Sequence, residues 1–285
     1  SALFCYLEVL KKRNPMNVKR PQILLVNDDG IRSPGLWAAA EALSTLGFVT
    51  VIAPRIQFSG AGRSMANGAD GAVEPTQLKI GSQDWTTYSV NGSPAQATQI
   101  GIHEIIKGLP DLIVSGINYG ENPSHDITMS GTVGAAIEGA AHGVPALAVS
   151  LELENEEWFS YSTAVDFSTA AYFTHKFAQI LLTQPTPADV DLLNLNVPAK
   201  ATPATPWKMT RLSRNRYFNP FLRPAPTDQQ NPIDSVIRFD PNDPNDQDSD
   251  VHAFKVEKLV SVTPLSLDMT SRVDLKVLEE QFKSH

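Results

Sequence analysis

The sequence Ile23-Leu24-Leu25-Val26-Asn27-Asp28-Asp29-Gly30 joins a short aliphatic run to three oxygen-bearing side chains and a glycine. An uninterrupted apolar run too short for a helix is typical of a buried parallel strand. Such a strand places an amide and two carboxylates at its carboxyl end, where open α/β sheets bind ligands. Adjacent carboxylates repel each other, and Asp and Asn oxygens favour a hard divalent ion such as Mg²⁺, Mn²⁺ or Ca²⁺. A surface turn is the alternative, because Asn-Asp-Asp-Gly is also good turn composition.

The segments that follow predict repeated strand and helix units. Ser33-Pro34-Gly35 is a helix start, with Ser33 as the candidate N-cap, and a second strand at 48–54 completes a βαβ unit. Later apolar runs predict more strands at 85–90, 111–118, 144–150 and 191–197, and helices at 95–106, 133–141 and 167–182. The fold class is therefore α/β, with a doubly wound and mostly parallel sheet over residues 21–198.

Composition changes after Pro198. Residues 199–250 are rich in Pro, Asn and Asp, which predicts an extended arm or hairpin that packs on another subunit. The run 240–250 is interpreted as a solvated acidic loop. A late strand at 256–262, a turn at 263–265 and a terminal helix at 272–282 complete a predicted C-terminal oligomerisation segment, residues 199–285.

Overall composition excludes several classes of protein. The chain has 285 residues, a net charge of −8 and a single cysteine, Cys5. The negative charge argues against duplex nucleic acid as a partner, and one cysteine allows neither an internal disulfide nor a cysteine-based zinc site. No segment is long enough to span a membrane, and residues 1–20 have the reverse order of a signal peptide. We therefore expect a cytoplasmic protein, with Met16 as a candidate natural start and residues 1–20 as a leader or a remnant.

Two further segments are expected near the first strand end. Residues 55–71 are rich in Gly and Ser and follow the second strand, which favours an active-site loop over a flexible connector. Ser130-Gly131-Thr132 opens a helix of small residues, whose free N–H groups form an anion site. Ordinary capping by Ser130 or Thr132 is the alternative.

Together these motifs resemble the SurE family of 5′/3′-nucleotidases, the stationary-phase survival proteins. They are spread in family order over residues 22–268, and they comprise 26–30, 34–35, 53–54 with 59–62, 92–94, 115–122, 130–139, 194–198 and 262–265. The resemblance implies a Rossmann-like core with a swapped C-terminal arm that builds homodimers or homotetramers. It also implies a metal-dependent phosphomonoesterase acting on nucleoside 5′-monophosphates, with 3′-monophosphates and short polyphosphate as further substrates of family members.

The resemblance also assigns residues to the site. One divalent ion per subunit, Mg²⁺ or Mn²⁺ with Ca²⁺ as a possible occupant, would be held by Asp28, Asp29, Ser59 and Asn118. Asp28 and Asp29 would also be catalytic. The expected phosphate-binding or substrate-binding residues are Asn27, Gly60, Asn122, Ser130, Gly131 and Thr132. The chain departs from the family pattern at Gln96, Ala97, Ser124 and Met129, which affects the expected substrate preference and not the reaction class.

Two other functions compete with this interpretation. A dinucleotide-dependent enzyme would carry GxGxxG after the first strand, and a haloacid-type phosphatase would carry Asp-x-Asp; neither spacing is present. A nucleotide-binding stress-response module without catalysis is the second possibility. Metal-dependent phosphate release discriminates it from an enzyme.

Overall fold

The structure is a computed structural model that describes residues 20–65, 70–80, 83–153, 164–223 and 233–284. The first part of the chain forms β1 (Gln22–Val26), α1 (Pro34–Leu43), β2 (Phe48–Pro54), β3 (Val73–Ile80), β4 (Gln83–Val90), α2 (Pro94–Ile100), β5 (Leu112–Tyr119), α3 (Gly131–Ala141), β6 (Ala146–Leu151), α4 (Ser168–Thr183) and β7 (Leu192–Val197). It continues through β8 (Trp207–Met209), β9 (Phe218–Leu222), β10 (Ile233–Ile237), β11 (Val260–Leu265) and α5 (Leu275–Lys283). Short helical turns occupy Gly101–Ile106, Ser124–Met129 and His252–Val256. The predicted leader, apart from Arg20, lies outside the described residues.

Within these described ranges, nine strands form one sheet in the order β3-β4-β2-β1-β5-β6-β7-β11-β8. The central strands from β4 to β7 are parallel, which confirms the predicted mostly parallel sheet, while β3 and β11 run antiparallel to β4 and β7. The central strands are buried on both faces, whereas the edge strands β3 and β8 are largely exposed. Ile23 and Leu25 pack with α1 and α4, whereas Leu24 and Val26 pack with α2 and α3. This two-sided burial explains why β1 is continuously apolar and not alternating.

The late strand begins and ends later in the chain than the predicted strand at 256–262. Residues 252–256 form a π-helical turn, and the strand β11 spans 260–265, so that residues 263–265 are strand and not turn. Pro264 misled the prediction, although it sits in β11 opposite Leu193. The strands β3 and β8 were not predicted. The predicted helix 95–106 is present as α2 followed by the π-helical turn Gly101–Ile106.

The arm contains the predicted hairpin, formed by β9 and β10. Its root packs as a small core of Tyr217, Val251 and Phe254. The acidic run 240–250 beside it is solvated only in part. Asp240 and Asp248 are exposed, as expected, whereas Asp246 and Asp250 are buried. Asp250 accepts hydrogen bonds from the backbone N–H groups of Ser124 and Ser213, and thereby joins the arm to the core.

The terminal helix α5 buries none of its residues in this chain. Across the described ranges, no helix combines the length and the apolar character that crossing a membrane requires.

Candidate active site

The turn after β1 is shaped by Asn27. Its side-chain nitrogen donates to the Gly30 carbonyl at 3.2 Å, and its side-chain oxygen accepts from the Gly30 N–H at 3.1 Å. Asp28 and Asp29 follow on this turn and are both buried. The Asp28 carbonyl accepts the Phe58 N–H at 2.8 Å, which brings the loop after β2 against the strand end. The predicted active-site loop is therefore anchored beside the two carboxylates.

The Asp28 carboxylate lies at the first turn of α3. It accepts hydrogen bonds from the Thr132 hydroxyl and from the backbone N–H groups of Gly131 and Thr132. A Cβ on Gly131 would stand 2.7 Å from the Cβ of Asp28, so glycine is required for this approach. Ser130 caps the helix, because its Oγ accepts the Val133 N–H at 3.1 Å. The anion at the N-terminus of α3 is thus the Asp28 carboxylate of the chain itself.

Burial makes the two carboxylates difficult to ionise. Burial raises the pKa of Asp28 to about 6, although its hydrogen bond from Thr132 acts in the opposite direction. Burial and the neighbouring Asp28 charge raise the pKa of Asp29 well above its usual range. Asp29 accepts hydrogen bonds from the Tyr119 N–H and the Gln57 side chain, both at 3.2 Å. A bound cation would stabilise the ionised pair.

Asn118 is oriented at the end of β5. Its Nδ2 donates to the carbonyls of Tyr119 at 3.1 Å and Gly120 at 2.7 Å. Because the nitrogen is held by the backbone, the Oδ1 atom is the end of the side chain that can act as a ligand. On the opposite side, the loop that carries Ser59 is fastened by the Gly62 N–H to the Met129 carbonyl at 2.9 Å.

A cavity of about 360 Å³ lies at these strand ends. Its lining includes six of the ten predicted site residues, namely Asp28, Ser59, Gly60, Asn118, Asn122 and Ser130. The other four predicted site residues are not part of the lining, but they contact it or position it. Thr132 and Gly131 contact Asp28, Asp29 bonds to the cavity residue Tyr119, and Asn27 forms the turn.

The donor set suits a hard cation. Carboxylate, hydroxyl and amide oxygens come together here, and these are the ligands that Mg²⁺, Mn²⁺ and Ca²⁺ prefer. Over the described part of the chain, no group of three or more His, Cys, Asp or Glu residues is arranged to hold a metal. The candidate site therefore depends on the Asp28–Asp29 pair supplemented by Ser59 and Asn118.

Sequence reasoning missed a buried ionic cluster beside the cavity. Lys255 contacts Glu121 at 3.3 Å and also pairs with Glu152, and the Tyr217 hydroxyl donates to Glu121 at 2.6 Å. Glu121 lines the cavity. We call these four residues the arm-root cluster. Only Glu121 belonged to a recognised motif, since its partners come from 31 to 134 positions further along the chain.

The arm also contributes to the cavity wall. Arg216, Phe218 and Pro220 line it from β9 and the residues before it, and Ile233, Asp234 and Ser235 line it from β10. The alternation of Arg and aromatic residues in this part of the arm was visible in the sequence, but its position over the strand ends was not.

Comparison with known proteins supports the same family throughout the chain. The family model described as "Survival protein SurE" matches residues 23–219. The 5′-nucleotidase SurE of Thermococcus gammatolerans is 41% identical over 263 residues, covering 90% of this chain and 94% of that protein. The 5′-nucleotidase SurE of Archaeoglobus fulgidus is 39% identical over 266 residues, covering 92% of this chain and 97% of that protein.

A solved structure agrees with these relatives. The crystal structure of the SurE protein from Aquifex aeolicus matches with a TM-score of 0.68 and 31% identity, over 93% of this chain and all of that one. The strand-end carboxylates, the anchored loop and the helix of small residues all fall within the span of the family model. On the sequence, the fold and these relatives together, this chain belongs to the SurE family.

Proposed function

We propose that the chain is a metal-dependent phosphomonoesterase that hydrolyses nucleoside 5′-monophosphates to nucleoside and phosphate. The observation that carries the proposal is the buried Asp28–Asp29 pair at the end of β1, beside a cavity large enough for a small organic ligand. The relatives named 5′-nucleotidase SurE, which match about nine tenths of this chain, support the substrate class.

The metal would be held by Asp28, Asp29, Ser59 and Asn118. When bound, a divalent cation supplies charge neutralisation and Lewis-acid polarisation at a phosphoryl group. Mg²⁺ and Mn²⁺ are the proposed physiological ions, one per subunit, and Ca²⁺ has the right ligand preference to occupy the site.

The chain's own groups would orient the phosphate and the attacking water. Ser130, Gly60 and Asn122 line the cavity and are proposed to contact the phosphate. Of the two strand-end carboxylates, Asp28 is the one that lines the cavity, so it is placed to orient the attacking water and to accept its proton. Asp29 is not part of the cavity lining, and its proposed role is to complete the set of metal ligands.

For three residues that were expected to bind phosphate or substrate, we propose instead that they position other groups of the site. Thr132 and Gly131 hold Asp28 through hydrogen bonds, and Asn27 fixes the turn that carries both carboxylates. Asn122 is itself fixed, because its N–H donates to Asn196 at 2.7 Å and its Nδ2 donates to Ser150 at 2.8 Å. These contacts preorganise the site before substrate binds.

The arm is proposed to assemble a homodimer or homotetramer. The hairpin presents apolar side chains to solvent, with Leu222 at 75% and Ile233 at 53% exposure. A partly apolar two-stranded hairpin is marginal by itself and gains stability from a partner surface. Leu222→Asp is expected to shift the mass measured by light scattering toward the monomer. An unchanged mass would remove the hairpin from the interface.

The function is tested by phosphate release from matched 5′- and 3′-nucleoside monophosphates and from tripolyphosphate, with Mg²⁺, Mn²⁺, Ca²⁺ or EDTA. Release from 5′-monophosphates should require Mg²⁺ or Mn²⁺ and should fall at least about 100-fold in Asp29→Asn. Asp84→Asn, an exposed aspartate on β4, is the matched control. Nucleotide binding by a folded protein without release under any metal would favour the binding-module alternative.

A further inference from the structure

The cavity lining combines two chemically different sets of residues. The strand ends carry the metal-binding candidates, whereas the arm supplies the apolar side chains of Phe218, Pro220 and Ile233, and Met129 is a further apolar lining residue. We propose that Phe218 is the platform on which the nucleobase of the substrate stacks, so that the arm selects nucleotides over phosphate esters without a base. This inference rests on the proposed function, because it names the part of the same site that recognises the nucleoside.

Phe218 is held in place before any ligand binds. Its N–H donates to Asp126 Oδ2 at 2.9 Å, and the Tyr217 N–H donates to the same oxygen at 3.1 Å. The Phe218 ring contacts the Tyr217 ring edge-on, with 4.8 Å between centroids. Tyr217 is buried and bonds through its hydroxyl to Glu121. A preorganised aromatic ring loses little conformational entropy when a base stacks on it.

The charges near Phe218 favour a neutral group over a second phosphate. Among the lining residues, Glu121 is paired with Lys255, and Asp234 is paired with Arg223 at 2.6 Å. Arg216 stands 4.0 Å from the Asp126 carboxylate. Each of these cations thus stands beside a carboxylate, so that, among the described residues of the lining and their ion-pair partners, no cation is left over for the trailing phosphates of a polyphosphate chain. A planar and uncharged base suits the surroundings of Phe218 better.

The size of the cavity agrees with this assignment. At about 360 Å³ it falls within the range of roughly 300–1,000 Å³ that is usual for small-molecule sites. The group next to the strand-end carboxylates and the group next to Phe218 therefore fit in one continuous space.

The test compares adenosine 5′-monophosphate with ribose 5-phosphate and tripolyphosphate on the metal-loaded enzyme. Phe218→Ala should lower the ratio of kcat/KM for the nucleotide to kcat/KM for ribose 5-phosphate about 5- to 100-fold, the range of base–aromatic stacking. The loss should be in KM for the nucleotide. Phe218→Tyr, which keeps the ring, should restore the ratio.

Phe221→Ala is the matched control, because Phe221 lies on the same strand, is 44% exposed and is outside the cavity lining. An unchanged ratio in Phe218→Ala, or an equal change in Phe221→Ala, would overturn the inference while leaving the phosphatase intact.

Binding of adenosine, measured by calorimetry on the metal-loaded enzyme, separates the two proposals. Adenosine should bind the wild-type protein and Phe218→Tyr, and should bind Phe218→Ala at least about fivefold more weakly. This result without any phosphate release would refute the proposed function and retain the nucleoside site. Equal adenosine affinity in all three proteins would refute the nucleoside site, whatever the rate of release.

Discussion

Two groups of buried carboxylates lie beside the same cavity, and they differ in the charged groups that surround them. In the arm-root cluster, Glu121 and Glu152 share Lys255, and Tyr217 donates a further hydrogen bond. In the strand-end pair, Asp28 forms no ion pair with any described residue, and burial raises its pKa to about 6. Both groups lose hydration. Among the described residues, Lys255 balances charge in the first group, whereas Asp28 in the second group has no ion-pair partner.

The difference separates a structural role from a functional one. The ion pairs of Lys255 and the hydrogen bond from Tyr217 compensate the buried glutamates from within the chain and fasten the arm to the core, although Glu121 Oε2 has no hydrogen-bond partner among the described residues. A carboxylate pair whose ionisation is opposed by burial gains stability when an external cation binds. We therefore expect changes in the arm-root cluster to act mainly on stability, and changes in the strand-end pair to act mainly on metal binding and activity.

The largest effect on stability is expected for Lys255→Met. Glu121 and Glu152 would remain buried without their cation, which typically destabilises a fold by about 3–5 kcal/mol. Urea unfolding measures this loss. Lys208→Met is the control, because the Lys208–Glu257 pair leaves each side chain 34% exposed and is expected to contribute less than about 1 kcal/mol. Equal losses of unfolding free energy in the two variants would mean that the arm-root cluster contributes no more to stability than an exposed ion pair.

Tyr217→Phe is expected to reduce the free energy of unfolding by about 1.5–3 kcal/mol. The change removes a hydrogen bond to a buried charged group and leaves the ring packing intact. Tyr172→Phe, at a position that is 42% exposed, should be nearly neutral in the same unfolding experiment. A neutral Tyr217→Phe would show that Lys255 alone satisfies Glu121.

The strand-end pair should make the metal-free protein less stable as pH rises, which is opposite to the usual effect of carboxylates with a lowered pKa. Because the folded pKa of Asp28 is raised from 3.8 to about 6, the native state holds more protons than the unfolded chain between these values. Stability therefore falls as pH rises through this window, by on the order of 2–3 kcal/mol.

The clean measurement is the difference in unfolding free energy between wild type and Asp28→Asn in EDTA at pH 4 to 7. Titrating groups away from the pair largely cancel in that difference. Asp29 does not cancel, because the Asp28 charge raises the pKa of Asp29, and its contribution has the same sign as that of Asp28. A wild type that gains stability relative to the variant as pH rises would contradict the predicted sign.

The smallest effect on stability is expected for Gly131→Ala, about 1–2 kcal/mol, because the overlap of the new Cβ with Asp28 Cβ costs more than the gain in helix propensity. Activity should nevertheless fall about tenfold, because the new Cβ displaces Asp28 from its position. Gly108→Ala, where a Cβ would meet nothing within 4 Å, is the control for phosphate release. Full activity in Gly131→Ala would show that the exact position of Asp28 is unimportant.

The core was predictable because its signals are local. The continuous apolar run of β1 and the Ser-Pro-Gly start of α1 each specify an element without reference to distant residues. The expectation that Asp28 and Thr132 share one end of the sheet follows from parallel topology alone.

The arm was not predictable in the same way. Whether Asp250 is solvated or buried depends on the backbone N–H groups of Ser124 and Ser213, which lie 126 and 37 positions away. Pro264 was read as a turn because its missing N–H argues against a strand, yet it occupies β11 opposite Leu193. Long-range pairing decided both outcomes.

The central claim is that the strand-end pair holds a divalent cation that the arm-root cluster does not need. Calorimetric titration of Mn²⁺ into the metal-free wild type, Asp29→Asn and Tyr217→Phe tests it most directly. We predict one Mn²⁺ per chain in the wild type and in Tyr217→Phe, a higher melting temperature on binding, and loss of binding in Asp29→Asn. Unaltered Mn²⁺ binding in Asp29→Asn, or none in the wild type, would contradict the account.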